Sequence, residues 1–379
     1  MTLLVTGATG FVMSVLARHW LEADPTARLV VLDASPLDAA AQCYFAPYTR
    51  RLAVVVADVT QPDTWHAALA RHEVTHIVHG ATVTPLSRGT VAEAKREPEA
   101  ENPARIIDVN VMGTVAVLEW ARTLANLERF IYVSSGAVYK HHGPDRPGEP
   151  LPEDGYVMPR RLYGISKLAS ELITERFGDL FGLPTASVRP SSVYGPMDRV
   201  TASRNFRHVP NRIAHLALEG VECVRVNTLD AVGDYIHVED VAAAVVSLLR
   251  APRLRYSAYN VACGVTASIR DMVGWAAEKV PGFHAEVVPA DEADIVQDPT
   301  RSDGMWGAYD VSRIGRGFQP VSALRREISY APHIPSRRVG SCTISASSCG
   351  TISARKPGTF SAAHSTISRM LAVTPQAML

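Results

Sequence analysis

The chain has 379 residues, 47% of them hydrophobic and 20% charged, which is enough for one large domain or two modest ones with a sizeable core. Its 38 basic and 38 acidic residues give a formal net charge of zero, which argues against a nucleic-acid partner and against an anionic membrane surface. No apolar run approaches the ~20 residues that span a bilayer, so we expect no membrane partner.

The amino-terminal residues and the cysteines favour a cytoplasmic protein. The chain enters an apolar strand at once, without the charged and then apolar leader of a secreted protein. Its five cysteines are scattered and form no metal-type pairs: Cys43, Cys223, Cys263, Cys342 and Cys349. We therefore expect free thiols in a reducing cytoplasm and no metal site.

The first predicted βα unit carries a glycine turn, Thr6-Gly7-Ala8-Thr9-Gly10. Helical periodicity follows from Val12 to Glu22 and places three residues on the buried side: Leu16, Trp20 and Leu21. Glycine at positions 7 and 10 lets the backbone approach a bound group closely. The N–H groups and the positive dipole end of the following helix suit a pyrophosphate. Because an apolar strand precedes the turn and an acid lies 23 residues after Gly10, the turn predicts a dinucleotide site.

Two acids follow the next two predicted strands. The strand Arg28–Leu32 ends on Asp33, and a carboxylate there can accept both hydroxyls of an adenosine ribose. It would repel a 2′-phosphate and no arginine follows directly, which favours NAD over NADP; a turn or helix-start aspartate is the alternative. The strand Leu52–Val56 leads to Asp58, which either lies beside the adenine or begins the following turn.

Small residues follow the fourth predicted strand, His76–His79. Gly80-Ala81-Thr82 would let a cofactor cross the sheet edge, and we interpret His79 as a packed core histidine rather than a catalyst. A charged, proline-punctuated segment over 85–103 is either a lid or a surface insertion. A helix is predicted over Ile106–Leu124.

A fifth strand, Phe130–Val133, ends on Ser134-Ser135. Five nearly continuous apolar strands separated by helices predict an α/β fold with a doubly wound parallel Rossmann sheet. Ligands of such sheets bind at the carboxyl ends of the strands, where all the features above would meet.

Ser135, Tyr163 and Lys167 form the candidate reactive set. Tyr163 and Lys167 are four residues apart, on one face of a predicted helix. A phenol has a pKa of about 10 in water, and an ammonium one turn away would lower it. Tyr163 would then remove a proton from a substrate hydroxyl, while Ser135 hydrogen-bonds that group and the developing carbonyl.

Five motifs occur in order over residues 1–330. They are Thr6-Gly7-Ala8-Thr9-Gly10-Phe11-Val12, Val133-Ser134-Ser135-Gly136-Ala137-Val138-Tyr139, Tyr163-Gly164-Ile165-Ser166-Lys167, Arg189-Pro190-Ser191-Ser192-Val193-Tyr194-Gly195-Pro196 and Asp234-Tyr235-Ile236-His237-Val238-Glu239-Asp240-Val241-Ala242. Together they resemble the extended short-chain dehydrogenase/reductases, and more narrowly the NAD-dependent epimerase/dehydratase family of UDP-galactose 4-epimerase type.

The resemblance implies a tightly bound NAD and a homodimer formed through two helices per subunit. It also implies that Ser135, Tyr163 and Lys167 are catalytic. The cofactor contacts that it implies are Gly7, Gly10, Phe11, Val12, Asp33, Asp58, Val59, Ala81, Tyr163, Lys167 and Pro190.

Two departures from the family pattern bear on cofactor and reaction. Met13 stands where the family turn has a third glycine or an alanine, so it must push the helix out or bend away, at about 1–3 kcal/mol unless it is accommodated. Gly136-Ala137 follows Ser135, where the dehydratases carry an Asp-Glu pair as acid and base. Without those carboxylates water elimination lacks its proton donor, which argues against a dehydratase.

Other departures concern the substrate. Ser192 replaces an asparagine that often contacts substrate in the family, and Gly233 stands where nucleotide-sugar enzymes often keep an arginine for the diphosphate. Arg301 either matches a second family arginine or is a surface residue. The lost bidentate contact weakens the case for a nucleotide diphosphate. The candidate substrate contacts are Ser135, Ser192, Asn211 and Arg301, although a solvated helix face would also explain Asn211.

Three hypotheses follow for the function. The first is a nucleotide-sugar epimerase that retains its NAD, and the second is a dehydrogenase or reductase of a sugar acid or small hydroxy compound with exchangeable NAD. The third is a non-catalytic NAD-binding protein, against which the intact Tyr163 and Lys167 argue.

We expect three parts along the chain. Residues 1–185 form the Rossmann domain, completed by strands near 234–262, and residues 186–330 form mainly a smaller C-terminal α/β substrate lobe. Residues 331–379 contain no Asp or Glu, nine Ser and five Thr, which predicts a disordered tail. This tail is either native or the product of an altered reading frame or fusion.

Overall fold

The computed structural model describes residues 1–84, 98–139, 149–155, 157–201, 207–297 and 308–317. Within them the strands are β1 (Thr2–Thr6), β2 (Arg28–Asp33), β3 (Leu52–Val56), β4 (His76–His79), β5 (Arg129–Val133), β6 (Thr185–Pro190), β7 (Ser192–Tyr194), β8 (Cys223–Val226), β9 (Val232–His237), β10 (Ala258–Val261), β11 (Thr266–Ser268) and β12 (His284–Val287). The helices are α1 (Phe11–Ala23), α2 (Ala39–Phe45), α3 (His66–Leu69), α4 (Pro98–Glu101), α5 (Pro103–Ile107), α6 (Gly113–Ala121), α7 (Leu162–Phe181), α8 (Val209–Leu218), α9 (Val238–Arg250), α10 (Ile269–Lys279) and α11 (Ser312–Gly317).

Seven strands form one parallel sheet in the order β10-β6-β5-β4-β1-β2-β3. Alternate side chains of each strand enter different cores. Leu3 and Val5 of β1 pack with α1 and α9 on one face, while Leu4 packs with Trp65 and Trp120 on the other. Both faces are therefore covered by helices, and the predicted doubly wound α/β fold is confirmed.

The predicted first helix is confirmed as α1, and its residues Leu16, Trp20 and Leu21 are all buried. The predicted helix Ile106–Leu124 is not continuous, since a π-helical turn over Asp108–Met112 separates α5 from α6. The turn contains Asn110, whose carbonyl oxygen accepts bonds from two side-chain hydroxyls. Such insertions are frequent at functional sites.

The second half of the chain builds a separate apolar core around α8, β8 and α10. β6 and β10 join the main sheet, as predicted. β9 pairs instead with β7 and β11 in a three-stranded sheet of its own, while its Ile236 packs in the same apolar core as β1 and α1. β7 follows β6 directly, so this small sheet begins where the main one ends.

The described residues bear on three further expectations. None of their helices combines the length and apolar character that crossing a bilayer requires, and no cluster of three metal-ligating side chains occurs among them. Cys223 and Cys263 form no disulfide bond, whereas Cys43 is disulfide-bonded, so the expectation of free thiols is wrong at that position. Most of the 85–103 segment, Arg301 and the 331–379 tail lie outside the described residues.

Candidate active site

The glycine turn between β1 and α1 approaches the end of β4 closely. Gly7 has a φ of +73°, in the left-handed region, and a Cβ there would lie 2.9 Å from the Cα of Ala81. Gly10 precedes α1, and its N–H donates to the carbonyl of Gly7 at 3.1 Å. The first turn of α1, all of it described, holds no acidic side chain. The amino-terminal end of α1 therefore adjoins a turn that carries no Cβ at positions 7 and 10, which fits a pyrophosphate.

Met13 lies in the first turn of α1 and is 5% exposed. A Cβ on Gly80, at the end of β4, would overlap the Sδ and Cγ atoms of Met13. The missing side chain at position 80 thus leaves the volume that the thioether of Met13 fills.

Asp33 lies at the carboxyl end of β2 and is tied to the glycine turn. Its Oδ2 accepts from the N–H and the hydroxyl of Thr9, at 3.0 and 2.8 Å, and its Oδ1 accepts from the N–H of Ser35 at 3.0 Å. These bonds hold the carboxylate beside the turn, where ribose hydroxyls would meet its remaining lone pairs.

The other predicted cofactor residues lie along the same edge of the sheet. Phe11, Val59 and Pro190 are buried, and Val12 and Ala81 are half-buried. The carboxylate of Asp58 accepts from Thr60 and pairs with Arg105 at 2.6 Å. Burial opposes ionisation there, but these hydrogen bonds hold the pKa of Asp58 below its usual value. Asp58 thus does begin the following turn.

The structure brings Ser135, Tyr163 and Lys167 together. Ser135 follows β5, and its hydroxyl lies close enough to Tyr163 to act on the pKa of the phenol. Its Oγ also accepts from the N–H of Ala137 at 3.1 Å. Lys167, one turn after Tyr163 on α7, is 2% exposed, and its Nζ donates to the carbonyl of Val133 at 2.9 Å. Nζ lies 5.8 Å from the centre of the Tyr163 ring.

The electrostatics of this set differ from the sequence-based expectation. Burial lowers the pKa of Lys167 to about 7. Burial also raises the pKa of Tyr163, and the nearby Ser135 hydroxyl offsets only part of that rise. The expectation that Lys167 lowers the phenol pKa is wrong for this arrangement. Nζ of Lys167 bonds a carbonyl instead, while burial acts on the phenol in the direction that raises its pKa.

His79 is a buried core histidine, as interpreted from the sequence. The hydroxyl oxygen of Thr6 accepts from two backbone N–H groups, so its hydrogen is directed to His79 Nδ1 at 2.7 Å. We infer that Nε2 carries the ring hydrogen and donates to Thr114 Oγ1 at 3.0 Å. Burial lowers the pKa of His79 to about 3, so the ring stays neutral.

Asn110 continues this network to α7, and sequence reasoning missed it. Its carbonyl accepts from the hydroxyl of Ser170 at 2.7 Å. Its amide nitrogen donates to Ser166 Oγ at 2.9 Å, and its amide oxygen accepts from the N–H of Val83 at 2.7 Å. These bonds anchor the first turns of α7, which carry Tyr163. The only sequence signal was an asparagine early in a predicted helix.

Tyr309 is a second residue that sequence reasoning missed. A Cβ on Gly136 would overlap its phenol oxygen, so the tyrosine fills the space over the residue that follows Ser135. Its ring packs edge-on against Tyr139 at 5.7 Å. Its N–H donates to Asp234 Oδ2 at 3.3 Å. The sequence around Gly136 does not indicate that Tyr309, far along the chain, packs against it.

The candidate substrate residues are less closely grouped. Ser192 begins β7 and is half-buried. Asn211 is buried at the start of α8, and its amide nitrogen donates to Gly195 O at 2.9 Å and Asp198 Oδ2 at 2.7 Å. Asn211 therefore holds the loop after β7 in place. Arg301 lies outside the described residues.

A family model, the NAD dependent epimerase/dehydratase family, matches residues 3–262. The chain therefore belongs to this family of extended short-chain dehydrogenase/reductases. It is an enzyme and its cofactor is NAD, so the non-catalytic alternative is set aside.

Related proteins agree with this assignment. GDP-6-deoxy-D-mannose reductase of Pseudomonas aeruginosa is 29% identical over 210 residues, which cover 54% of this chain and 63% of that protein. UDP-glucose 4-epimerase of Mycolicibacterium smegmatis is 29% identical over 277 residues, covering 72% and 80%.

Solved structures share the fold. UDP-glucose 4-epimerase of Thermotoga maritima, solved with UDP-glucose, has a TM-score of 0.66 at 21% identity, covering 86% of this chain and 96% of that one. The complex of Thermus thermophilus UDP-glucose 4-epimerase with NAD has a TM-score of 0.64 at 24% identity, covering 86% and 97%.

Proposed function

We propose that the protein is an NAD-dependent epimerase of nucleotide sugars in which Ser135, Tyr163 and Lys167 carry the chemistry. The observation that carries the proposal is the meeting of these three residues at the sheet edge that also holds the glycine turn. Pairs of titratable groups whose surroundings shift their pKa values cluster at functional sites, and Tyr163 and Lys167 are such a pair.

Each residue has a distinct role in this proposal. Tyr163 takes the proton of a substrate hydroxyl, and Ser135 hydrogen-bonds the same oxygen and stabilises the charge that develops on it. Lys167 holds the ribose of the cofactor close to Tyr163. NAD, when bound, would supply the acceptor for the hydride that leaves the carbon bearing this hydroxyl. In an epimerase the enzyme then holds the keto sugar while it turns and is reduced from its other face.

The contacts to NAD that we propose are Gly7, Gly10, Phe11, Val12, Asp33, Asp58, Val59, Ala81, Tyr163, Lys167 and Pro190. Those to substrate are Ser135, Ser192, Asn211 and Arg301. Because no carboxylate follows Ser135 and Tyr309 fills the space over Gly136, we do not propose a dehydratase. A homodimer and a cytoplasmic location remain part of the proposal.

A dehydrogenase of a sugar acid or small hydroxy compound is the second candidate. The observation that favours it is Gly233 in β9, at the place where an arginine would contact a diphosphate. Such an enzyme would use the same three residues and release its reduced cofactor.

The test combines cofactor content with activity. Purified protein is denatured, released NAD(H) is assayed, and the native protein is tested for interconversion of UDP-glucose and UDP-galactose. Tyr163→Phe should retain NAD and lower kcat by about 10²–10⁴-fold, because it removes the base and little volume. Since burial raises the pKa of Tyr163, the wild-type rate should rise with pH through the alkaline range.

Tyr48→Phe is the matched control, since it removes a phenol that bonds Glu22 at the surface. It should leave kcat unchanged. Protein that retains no NAD and turns over no UDP-hexose, but forms NADH from added NAD and a sugar acid, would establish the dehydrogenase instead. Full activity in Tyr163→Phe would exclude the proposed role of the tyrosine in either reaction.

A further inference from the structure

Arg199 belongs to the loop after β7, yet its side chain reaches the cofactor half of the molecule. Its Nη2 donates to the carbonyl of Thr9 in the glycine turn at 3.1 Å. The side chain is only 15% exposed. The guanidinium therefore occupies a fixed position against the β1–α1 turn.

Asp38 forms an ion pair with this guanidinium. Nε of Arg199 donates to Asp38 Oδ2 and Nη2 donates to Oδ1, both at 2.9 Å. Two parallel bonds of this kind fix the orientation of both groups. Asp38 also caps α2, because its Oδ1 accepts from the N–H of Ala41 at 2.8 Å.

Thr9 connects this ion pair to the proposed ribose carboxylate. The N–H and hydroxyl of Thr9 bond Asp33, and its carbonyl bonds Arg199. Thr9 therefore contacts both groups: the Arg199 guanidinium and the carboxylate that would bind the adenosine ribose. An arginine in this place would attract a 2′-phosphate, while Asp33 would repel one.

We propose that Asp38 is a cofactor-specificity residue. Because Asp38 pairs with Arg199, the guanidinium beside the ribose site is not available to bind a 2′-phosphate. Asp33 excludes NADP by repulsion, and Asp38 excludes it by removing the available attraction. The proposal rests on the proposed ribose contact of Asp33 and not on the identity of the substrate.

The test is the binding of NAD and NADP to apoprotein, measured by titration calorimetry. Asp38→Asn keeps an oxygen that caps α2 but removes the charge that holds Arg199. We expect the ratio Kd(NADP)/Kd(NAD) to fall by about tenfold or more, as a freed guanidinium gains one charge-assisted contact. In the double variant Asp38→Asn/Arg199→Met the ratio should return to that of the wild type.

Asp230→Asn is the matched control, because it breaks an exposed arginine–aspartate pair between Arg270 and Asp230 in the second half of the chain. Its ratio should equal that of the wild type. If Asp38→Asn is recovered unfolded, Asp38→Ser supplies the same cap and the same loss of charge.

Three results would overturn the proposal. Parallel weakening of NAD and NADP in Asp38→Asn would mean that Asp38 only stabilises the loop. A lowered ratio that persists in the double variant would exclude Arg199 as the group released. A wild-type protein that prefers NADP would contradict the selection itself, and Asp33→Asn, measured beside it, would show whether the proposed ribose contact fails as well.

Discussion

At the scale of single residues, the site depends on two pairs in which a large side chain fills the space that a glycine leaves open. Met13 and Gly80 form one such pair, and Tyr309 and Gly136 form another. In each pair the two members are distant in sequence and come from different elements. Each pair is close-packed, so neither member can change in volume alone without cost.

Gly80→Ala should destabilise the protein by about 1–3 kcal/mol, because the new methyl group meets the Sδ and Cγ atoms of Met13. Gly80 is not among the glycines with positive φ, so alanine suits its backbone and the effect reports the contact. Urea unfolding of Gly80→Ala and of the double variant Gly80→Ala/Met13→Ala would measure the coupling between the two positions. Met13→Ala should restore part of the stability that Gly80→Ala loses.

Gly274→Ala is the control for that experiment. It lies in α10 with no atom within 4 Å of a new Cβ, so it should stabilise the helix by about 0.5–1 kcal/mol. Equal destabilisation of Gly80→Ala in the presence and absence of Met13 would contradict the pairing.

The sequence identified one member of each pair but not the other. The motif spacing placed Met13 at a glycine position and Gly136 after the serine, because those facts are local. Gly80 and Tyr309 could not be assigned as their partners, since only the folded sheet brings β4 against α1 and residue 309 against the β5 turn. The raised pKa of Tyr163 could not be predicted for the same reason, because the burial that raises it depends on the fold.

At the scale of elements, β9 organises the second sheet through Asp234. This buried carboxylate accepts from Ser191 Oγ and from the N–H groups of Cys263, Gly264 and Tyr309, at 2.8 to 3.3 Å. Burial raises its pKa to about 6 despite these bonds. One side chain thus fixes the end of β6, the turn after β10 and the segment that carries Tyr309.

Asp234→Asn should destabilise the fold by about 2–3 kcal/mol, because an amide NH₂ group replaces one of the oxygens that accept N–H donors. The raised pKa adds a pH dependence. The folded protein keeps a proton that the unfolded chain releases near pH 4, so this contribution to stability falls as pH rises to about 6. The loss in Asp234→Asn should therefore be larger at pH 5 than at pH 7. Thermal unfolding at both values measures it, and an unchanged melting temperature would contradict the role of Asp234.

The elements that the sequence predicted well are those with long apolar runs. β1, β2, β3 and β5 follow from such runs, and α1 follows from its helical periodicity. The strands that β9 pairs with could not be predicted, because its sequence indicates that it is buried but not which strand lies beside it. The π-helical turn was also missed, because hydroxyl groups from α7 and α6 stabilise it and no local pattern does.

At the scale of the whole molecule, α7 presents exposed apolar side chains on its outer side, ahead of the charged residues of its second half. Its inner face is small and polar, including Ser166, Ser170 and Thr174, while Ile165 and Leu172, seven residues apart, are 43% and 54% exposed. Met112, just before α6, is 53% exposed. Exposed apolar side chains that cluster on two neighbouring helices are typical of an interface, which supports the proposed homodimer.

Leu172→Glu should convert the proposed dimer to a monomer, because a two-fold interface would bury the new charge twice. Light scattering after gel filtration measures the mass directly. Val287→Glu is the matched control, since Val287 is 57% exposed on β12, outside α7. A monomeric wild type, or a dimer that survives Leu172→Glu, would exclude this face as the interface.

The packing of Tyr309 over Gly136 also limits how the enzyme can change during evolution. An acid at position 136 would be the first step towards an elimination reaction, yet any side chain there collides with the tyrosine. Loss of the tyrosine first would open a cavity next to Ser135 before any new acid is in place. The two positions must therefore change together, so libraries that vary one position at a time will not reach that reaction from this scaffold.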